Sequence, residues 1–248
     1  MREGRSIMGM PITVEIVGGD NAAHAIEKVF AYFTAVDERF STYKDTSEIS
    51  LINRGETLLQ NYSNEMKEVF ALAEKTKKES SGYFDITKPD GSLDPSGIVK
   101  GWAIHNAANL LYELGHTNFY VEAGGDIATS GRTSEDKEWS VGIRHPFEQD
   151  KIVKVIYPKG AGVATSGSYL RGAHIYNPHA PEEKLSDIVS ITVVGPDVLE
   201  ADRFATAAFA MGRDGIKFIE QLKGFEAYMI DKEGIATMTS GFEKYLSA

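Results

Sequence analysis

The sequence predicts an α+β fold with a mixed or antiparallel sheet and packed helices. Three observations carry this expectation. Helical periodicity dominates the first 115 residues, and short β-branched runs broken by Gly and Pro crowd the second half. Of the 248 residues, 42% are hydrophobic and 25% charged, the ordinary mixture of a globular chain large enough to bury a core.

Met10–Val17 alternates loosely and is rich in β-branched residues, which reads as a strand. Asn21 is placed to cap a helix whose apolar positions Ala22, Ile26, Val29, Phe33, Val36 and Phe40 keep three-to-four spacing. Ser63 is placed to cap a second helix, with Met66, Val69, Phe70 and Ala73 on one face and Gly82 at its end. After a turn rich in Gly, Pro and Asp, Gly97–Leu114 reads as a third helix stopped by Gly115. Phe119–Glu122 is a short strand ending in Gly124-Gly125. Trp139–His145, Ile152–Pro158, Gly162–Thr165, Ala173–Asn177 and Ile188–Val194 read as further strands. A small-residue helix follows Gly195-Pro196, then a short helix at Gly215–Leu222. A last hairpin pairs Ala227–Ile230 with Ile235–Thr239 through Lys232-Glu233-Gly234. No repeat, low-complexity tract or interdomain linker interrupts the chain.

The formal net charge of -10 disfavours a nucleic-acid backbone or an anionic membrane as partner. A phosphate-rich ligand would need local help from a metal, a helix N-terminus or a few placed cations. With no cysteine, the chain has no disulfide, thiolate nucleophile or zinc-thiolate site. The opening residues hold no apolar signal core or lipidation Cys, and no run approaches the ~18–20 apolar residues of a membrane span. A cytoplasmic protein is the expectation, although an exported protein trimmed of its signal would read the same. No H-E-x-x-H, G-x-S-x-G, Walker A or G-x-G-x-x-G motif is present.

Asp202 and Thr206 lie four positions apart on the small-residue helix, so they stack on one face among Ala, Phe and Met. An Asp on such a face needs compensation. Two readings are open: a hard cation taking oxygen ligands, or a basic residue such as Arg203 pairing with Asp202 while Thr206 bonds back to its own helix. Asp94–Gly101 opens the third helix, where free N–H groups and Lys100 suit an anion; an ordinary Asp or Ser cap with an exposed Lys fits equally. Gly124-Gly125-Asp126 and Thr165-Ser166-Gly167 each follow a strand, as ligand-approach points or as plain turns. Phe40–Tyr43 and Phe84–Thr87 set aromatics beside small polar groups, suited to core packing or to stacking a flat heterocycle. His174, inside an apolar run, is either structural or a general base facing a cleft.

Taken in order, these segments resemble the FAD:protein FMN transferase family, the ApbE family. The pieces are Met8-Gly-Met10, Phe40-Ser-Thr-Tyr43 with Ser47–Ser50, Gly82–Thr87, Asp94–Gly101, Glu122–Ile127, Ala164–Tyr169, His174–Pro178 and Ala201–Thr206. The resemblance implies one domain over residues 1–248, of the family's T-fold-like architecture. It implies an enzyme that cleaves the FAD diphosphate with Mg²⁺, attaches FMN through its phosphate to a Thr or Ser of an acceptor flavoprotein, and releases AMP. The alternatives within it are an FAD pyrophosphatase and a non-catalytic FAD-binding protein.

The resemblance also implies roles. Asp202 and Thr206 match its metal motif, with the carbonyls of Gly97 and Ala205. Met8, Tyr43, Asp85, Ile86, Thr87, Asp94 and Lys100 match positions around the flavin, Tyr43 by stacking. Thr165, Ser166 and Gly167 match the diphosphate region, and His174 the base for the acceptor hydroxyl. This chain departs from the family pattern at Met10, at Pro95-Ser96, in the short Thr87–Asp94 connection and at Asn177-Pro178.

Overall fold

The computed structural model describes residues 1–148, 151–167 and 175–248. β1 (Arg2–Ile7) and β2 (Met10–Ile16) form a hairpin through Met8 and Gly9, both at positive φ (56° and 69°). Such a pair of left-handed residues gives the two-residue turn that matches strand twist. β2 turns Met10, Ile12, Val14 and Ile16 inward at every second position.

Helices α1 (Ala22–Phe40), α2 (Glu48–Asn53), α3 (Asn64–Glu79) and α4 (Ser96–Glu113) follow. Ser63 caps α3 by accepting from Met66 N at 3.1 Å, as expected. Asn21 does not cap α1 through its side chain; it sits in the left-handed region at φ 68° and serves as a turn residue. Gly115, at φ 85°, ends α4 as its position predicted.

β3 (Phe119–Ala123) and β4 (Asp126–Ser130) are joined by Gly124 and Gly125 alone, again both at positive φ. β5 (Val141–Arg144) and β6 (Ile152–Ile156) form a separate two-stranded ribbon. Then come β7 (Gly162–Gly167), β8 (Ile188–Gly195), α5 (Val198–Ala210), α6 (Gly215–Glu220), β9 (Glu226–Asp231) and β10 (Ala236–Met238). The strand expected over Ala173–Asn177 falls partly outside the described residues, and residues 175–177 are irregular.

Among the described residues, the main sheet runs β1-β2-β3-β4-β7-β8-β9-β10, antiparallel at every pairing. The expected α+β class holds, with the sheet antiparallel rather than mixed. One core packs β2 and β3 against α1–α4. A second packs Ala164, Ile191 and Val193 against α5 and α6. A third, on the opposite face, packs Val163 and Val194 against the ribbon and Phe242. Neighbouring strand residues thus serve opposite cores, which explains why β8 is buried almost throughout. Among the described residues no helix is long and apolar enough to cross a membrane.

Candidate functional site

The start of β2, the Gly124-Gly125 turn and the end of β7 come together at one end of the sheet, where the antiparallel register brings them. There they line a cavity of about 540 Å³ with the first turns of α4, the middle of α5, the 83–94 loop and the ribbon. The volume is in the range of ligand sites.

The cavity is built on an unusually close helix crossing. Gly97 and Gly101 of α4, four apart, face Asp202 and Thr206 of α5, four apart. A Cβ at Gly101 would lie 2.5 Å from Asp202 Cβ, and one at Gly97 would lie 3.2 Å from Thr206 Cγ2. Two glycines therefore let a carboxylate and a hydroxyl reach the backbone of the neighbouring helix. Gly101 N donates to Asp202 Oδ2 at 2.7 Å, and Thr206 Oγ1 donates to Gly97 O at 3.3 Å. Ser166 Oγ lies 3.5 Å from the same Thr206 hydroxyl.

Asp202 is 2% exposed. Its compensation is Lys100, not Arg203: Lys100 Nζ lies 3.7 Å from Asp202 Oδ1 and 2.7 Å from Asp126 Oδ2. Arg203 turns to the other side of α5, where it pairs with Glu200 at 2.5 Å and with Glu79 of α3. Thr206 bonds across to α4 rather than back along its own helix. Burial raises the Asp202 carboxyl above the usual carboxylate range, opposed by Lys100, reinforced by the nearby Asp126 charge and opposed again by the Gly101 N–H.

Asp126 was not given a site role from sequence, where Gly124-Gly125-Asp126 read as a ligand-approach point or a plain turn. It is fully buried, the first residue of β4, and its Oδ1 accepts from Thr165 N at 3.0 Å. Thr165 Oγ1 in turn meets Thr192 Oγ1 at 2.8 Å. Glu122, Arg144 and Tyr176 line the cavity as well; Glu122 and Tyr176 lie in segments that carry the family resemblance, but none of the three was given a site role from sequence.

The cavity brings together Asp85, Asp94, Gly97, Lys100, Thr165, Ser166, Gly167, Asp202 and Thr206 of the expected residues. Asp85 also holds its loop, accepting from Thr87 N at 2.8 Å and pairing with Lys77 at 2.6 Å. Burial opposes ionisation of Asp85, but the Lys77 pair and the Thr87 N–H outweigh it, so its carboxyl titrates below the usual range. Asp94 accepts from Ser96 N at 3.1 Å, so it shapes the start of α4 while facing the cavity.

The remaining expected residues lie elsewhere. Met8 sits in the β1–β2 turn, beside the cavity-lining Gly9 and Met10. Ile86 packs on the first core, and Thr87 bridges to Leu93 and accepts from Tyr176 OH at 3.0 Å. Ala205 is buried in the second core. Tyr43 is 97% exposed and does not line the cavity. His174 lies outside the described residues.

The oxygen set at the α4–α5 crossing suits a hard cation, since it offers a carboxylate, two hydroxyls and a backbone carbonyl. Among the described residues no three His, Asp or Glu side chains gather to hold a metal, so a cation here would lean on those hydroxyl and carbonyl oxygens and on its ligand.

Known proteins resemble the chain along most of its length. An FAD:protein FMN transferase of Klebsiella pneumoniae (strain 342) is 31% identical over 168 residues, covering 64% of this chain and 47% of that protein. The one from Escherichia coli (strain K12) is 30% identical over 161 residues, covering 61% and 46%. The chain thus spans about half the length of the curated relatives it matches. Among solved structures, the flavin transferase ApbE from Vibrio cholerae superposes with a TM-score of 0.87 at 22% identity, covering 99% of both chains. The ApbE protein from Thermotoga maritima gives 0.87 at 20% identity, covering 100% of this chain and 99% of that one. These likenesses show the fold. Residues 8–89 and 87–229 match the sequence profile of the ApbE family, and on that match the chain belongs to the ApbE family.

Proposed function

We propose that the chain, as one domain over residues 1–248, is a Mg²⁺-dependent FAD:protein FMN transferase. The observation that carries the reading is the crossing of two paired sets beside the cavity, Asp202 and Thr206 against Gly97 and Gly101. The reaction is the one for which the relatives, FAD:protein FMN transferases, are named.

The acceptor is a flavoprotein presenting a Thr or Ser hydroxyl. Its oxygen bonds to the phosphorus on the FMN half of FAD. The bond from that phosphorus to the bridging oxygen breaks, AMP leaves with that oxygen, and the hydroxyl proton passes to a base. His174 is assigned that base. Mg²⁺ would be held by the Asp202 carboxylate, the Thr206 hydroxyl and the carbonyls of Gly97 and Ala205, and would supply charge neutralisation at the diphosphate.

The chain's own groups position the substrate. Thr165, Ser166 and Gly167 border the diphosphate region. Asp94, Lys100, Asp85, Ile86, Thr87 and Met8 border the flavin half, the last three through the loops they shape. Tyr43 would reach the flavin by folding in from its exposed position.

Incubation with FAD, Mg²⁺ and a candidate acceptor peptide, read by mass spectrometry, tests the reading. An acceptor mass gain equal to FMN less water, with AMP released, supports transfer. Free FMN without that gain assigns hydrolysis instead, and neither product leaves an FAD-binding protein. Asp202→Asn is expected to lower Mg²⁺-dependent AMP release by about a hundredfold or more, the scale of several kcal/mol of charge stabilisation. Unchanged turnover would remove Asp202 from the metal site.

A further inference from the structure

The cavity wraps around the end of the sheet and so has two lobes. Consecutive residues at the end of β7 face opposite ways. Ser166 lies 3.5 Å from Thr206 on the helix side, whereas Thr165 shares its face with Val163 of the third core, on the ribbon side. The helix-side lobe holds the α4–α5 crossing. The ribbon-side lobe is lined by Tyr120, Glu122, Ile127, Arg144 and Ile152.

This second lobe combines an apolar wall with one cation and one anion. Gly142 leaves room for Ile152 to lie over it, since a Cβ there would be 2.8 Å from Ile152 Cδ1. The β5–β6 register shifts between Ile143 and Arg144, and such irregularities re-aim a side chain. Arg144 is exposed, lines the cavity and makes no side-chain hydrogen bond or ion pair among the described residues. Burial and the Glu122 charge push the Tyr120 phenol up, against the charges of Arg2 and Arg144, so the guanidinium is within electrostatic reach of that hydroxyl. Glu122 Oε2 accepts from the same hydroxyl at 3.2 Å. A carboxylate beside a guanidinium suits a ligand that carries hydroxyl donors as well as a phosphate, which a nucleotide does and a bare anion does not.

We infer that the ribbon-side lobe takes the AMP half of FAD and that the Arg144 guanidinium grips its phosphate. The inference rests on the flavin transferase reading, in which the flavin half lies by the 83–94 loop. When the diphosphate opens, the bridging oxygen and its electron pair stay with AMP. The guanidinium then donates to a phosphate that has gained charge, which strengthens the contact.

Calorimetric titration of the purified full chain with AMP, adenosine, FMN and riboflavin, all without Mg²⁺, is the test. The wild type is expected to bind AMP more tightly than adenosine by roughly tenfold or more, the scale of a hydrogen bond to a charged group. Arg144→Gln is expected to remove most of that preference and to leave both the adenosine affinity and the preference for FMN over riboflavin unchanged. Arg144→Lys is expected to keep part of it, because the charge remains and the fork is lost. Thermal melts check that each variant keeps its fold. An Arg144→Gln chain with the wild-type preference for AMP overturns the inference, as does a wild type with no such preference. Any loss of the FMN preference in Arg144→Gln overturns it too, because the flavin half would then lie in this lobe. Where the wild type still releases AMP from FAD with Mg²⁺, these results sink the inference alone. A wild type that does not cleave FAD overturns the reading of the function with it.

Discussion

Arg203 and Asp202 are neighbours in sequence with opposite charges, yet they serve different structures. Helical geometry places consecutive residues about 100° apart, so Asp202 faces α4 while Arg203 faces α3. Arg203 is 2% exposed, lies 4.0 Å over the Phe204 ring and joins Glu79 of α3 to Glu200 of α5. Its task is to fasten two helices. Arg203→Met keeps much of the packing volume but removes the guanidinium that both glutamates share, leaving Glu79 only the longer contact with Lys75 at 3.9 Å. Because those glutamates are partly solvated, the expected loss is modest for a buried Arg, roughly 1–3 kcal/mol by denaturant unfolding. FAD binding, read by flavin fluorescence, should survive in the folded fraction. A variant as stable as the wild type would contradict the fastening role. The i,i+4 spacing of Asp202 and Thr206 is legible in the chain. That Lys100 would be the counter-charge is not, because it depends on how two helices separated by some hundred residues cross.

The α4–α5 contact shows what small residues accomplish between elements. Gly97 and Gly101 remove the side chains that would hold the helices apart, and Gly162 does the same where β7 meets the first turn of α5. Gly101→Ala would put a Cβ 2.5 Å from Asp202 Cβ and 2.9 Å from Val198 O. The helices must separate, at a cost of about 1–3 kcal/mol, and the Gly101–Asp202 hydrogen bond lengthens. Calorimetric titration should show Mg²⁺ affinity falling with it, and a variant with unaltered stability would mean that the crossing is looser than described. Several elements escaped the sequence pattern for physical reasons. β1 carries Arg, Glu and Gly at an exposed sheet edge, so no apolar alternation marks it. β4 opens on the Asp that the site requires, and α2 is only six residues long. The long helices α1 and α3 were legible because each presents an apolar face to the same core, and α4, buried on more than one face, because a Gly/Pro/Asp turn and Gly115 bound it.

Across the whole molecule, stability should grade from the sheet's centre to its edges. β8 is buried along nearly all its length, whereas β1 and β10 are edge strands with largely exposed residues. Amide exchange is expected to be slowest in β8 and fastest in β10, differing by several kcal/mol of opening free energy. Equal protection in the two would contradict a graded sheet. By itself the sequence determined the α+β class, most element positions, and the residue types able to serve phosphate and cation chemistry. Local periodicity and turn chemistry are short-range properties, written in neighbouring residues. Only the tertiary structure decided that Asp126 joins Asp202 through Lys100. It also set Arg203 aside as a fastener and left Tyr43 in solvent, 97% exposed. Those outcomes depend on burial and on distances between remote segments. For the Asp202–Thr206 pair, what the chain specifies is which face the two residues share; what that face meets is set by two glycines on another helix.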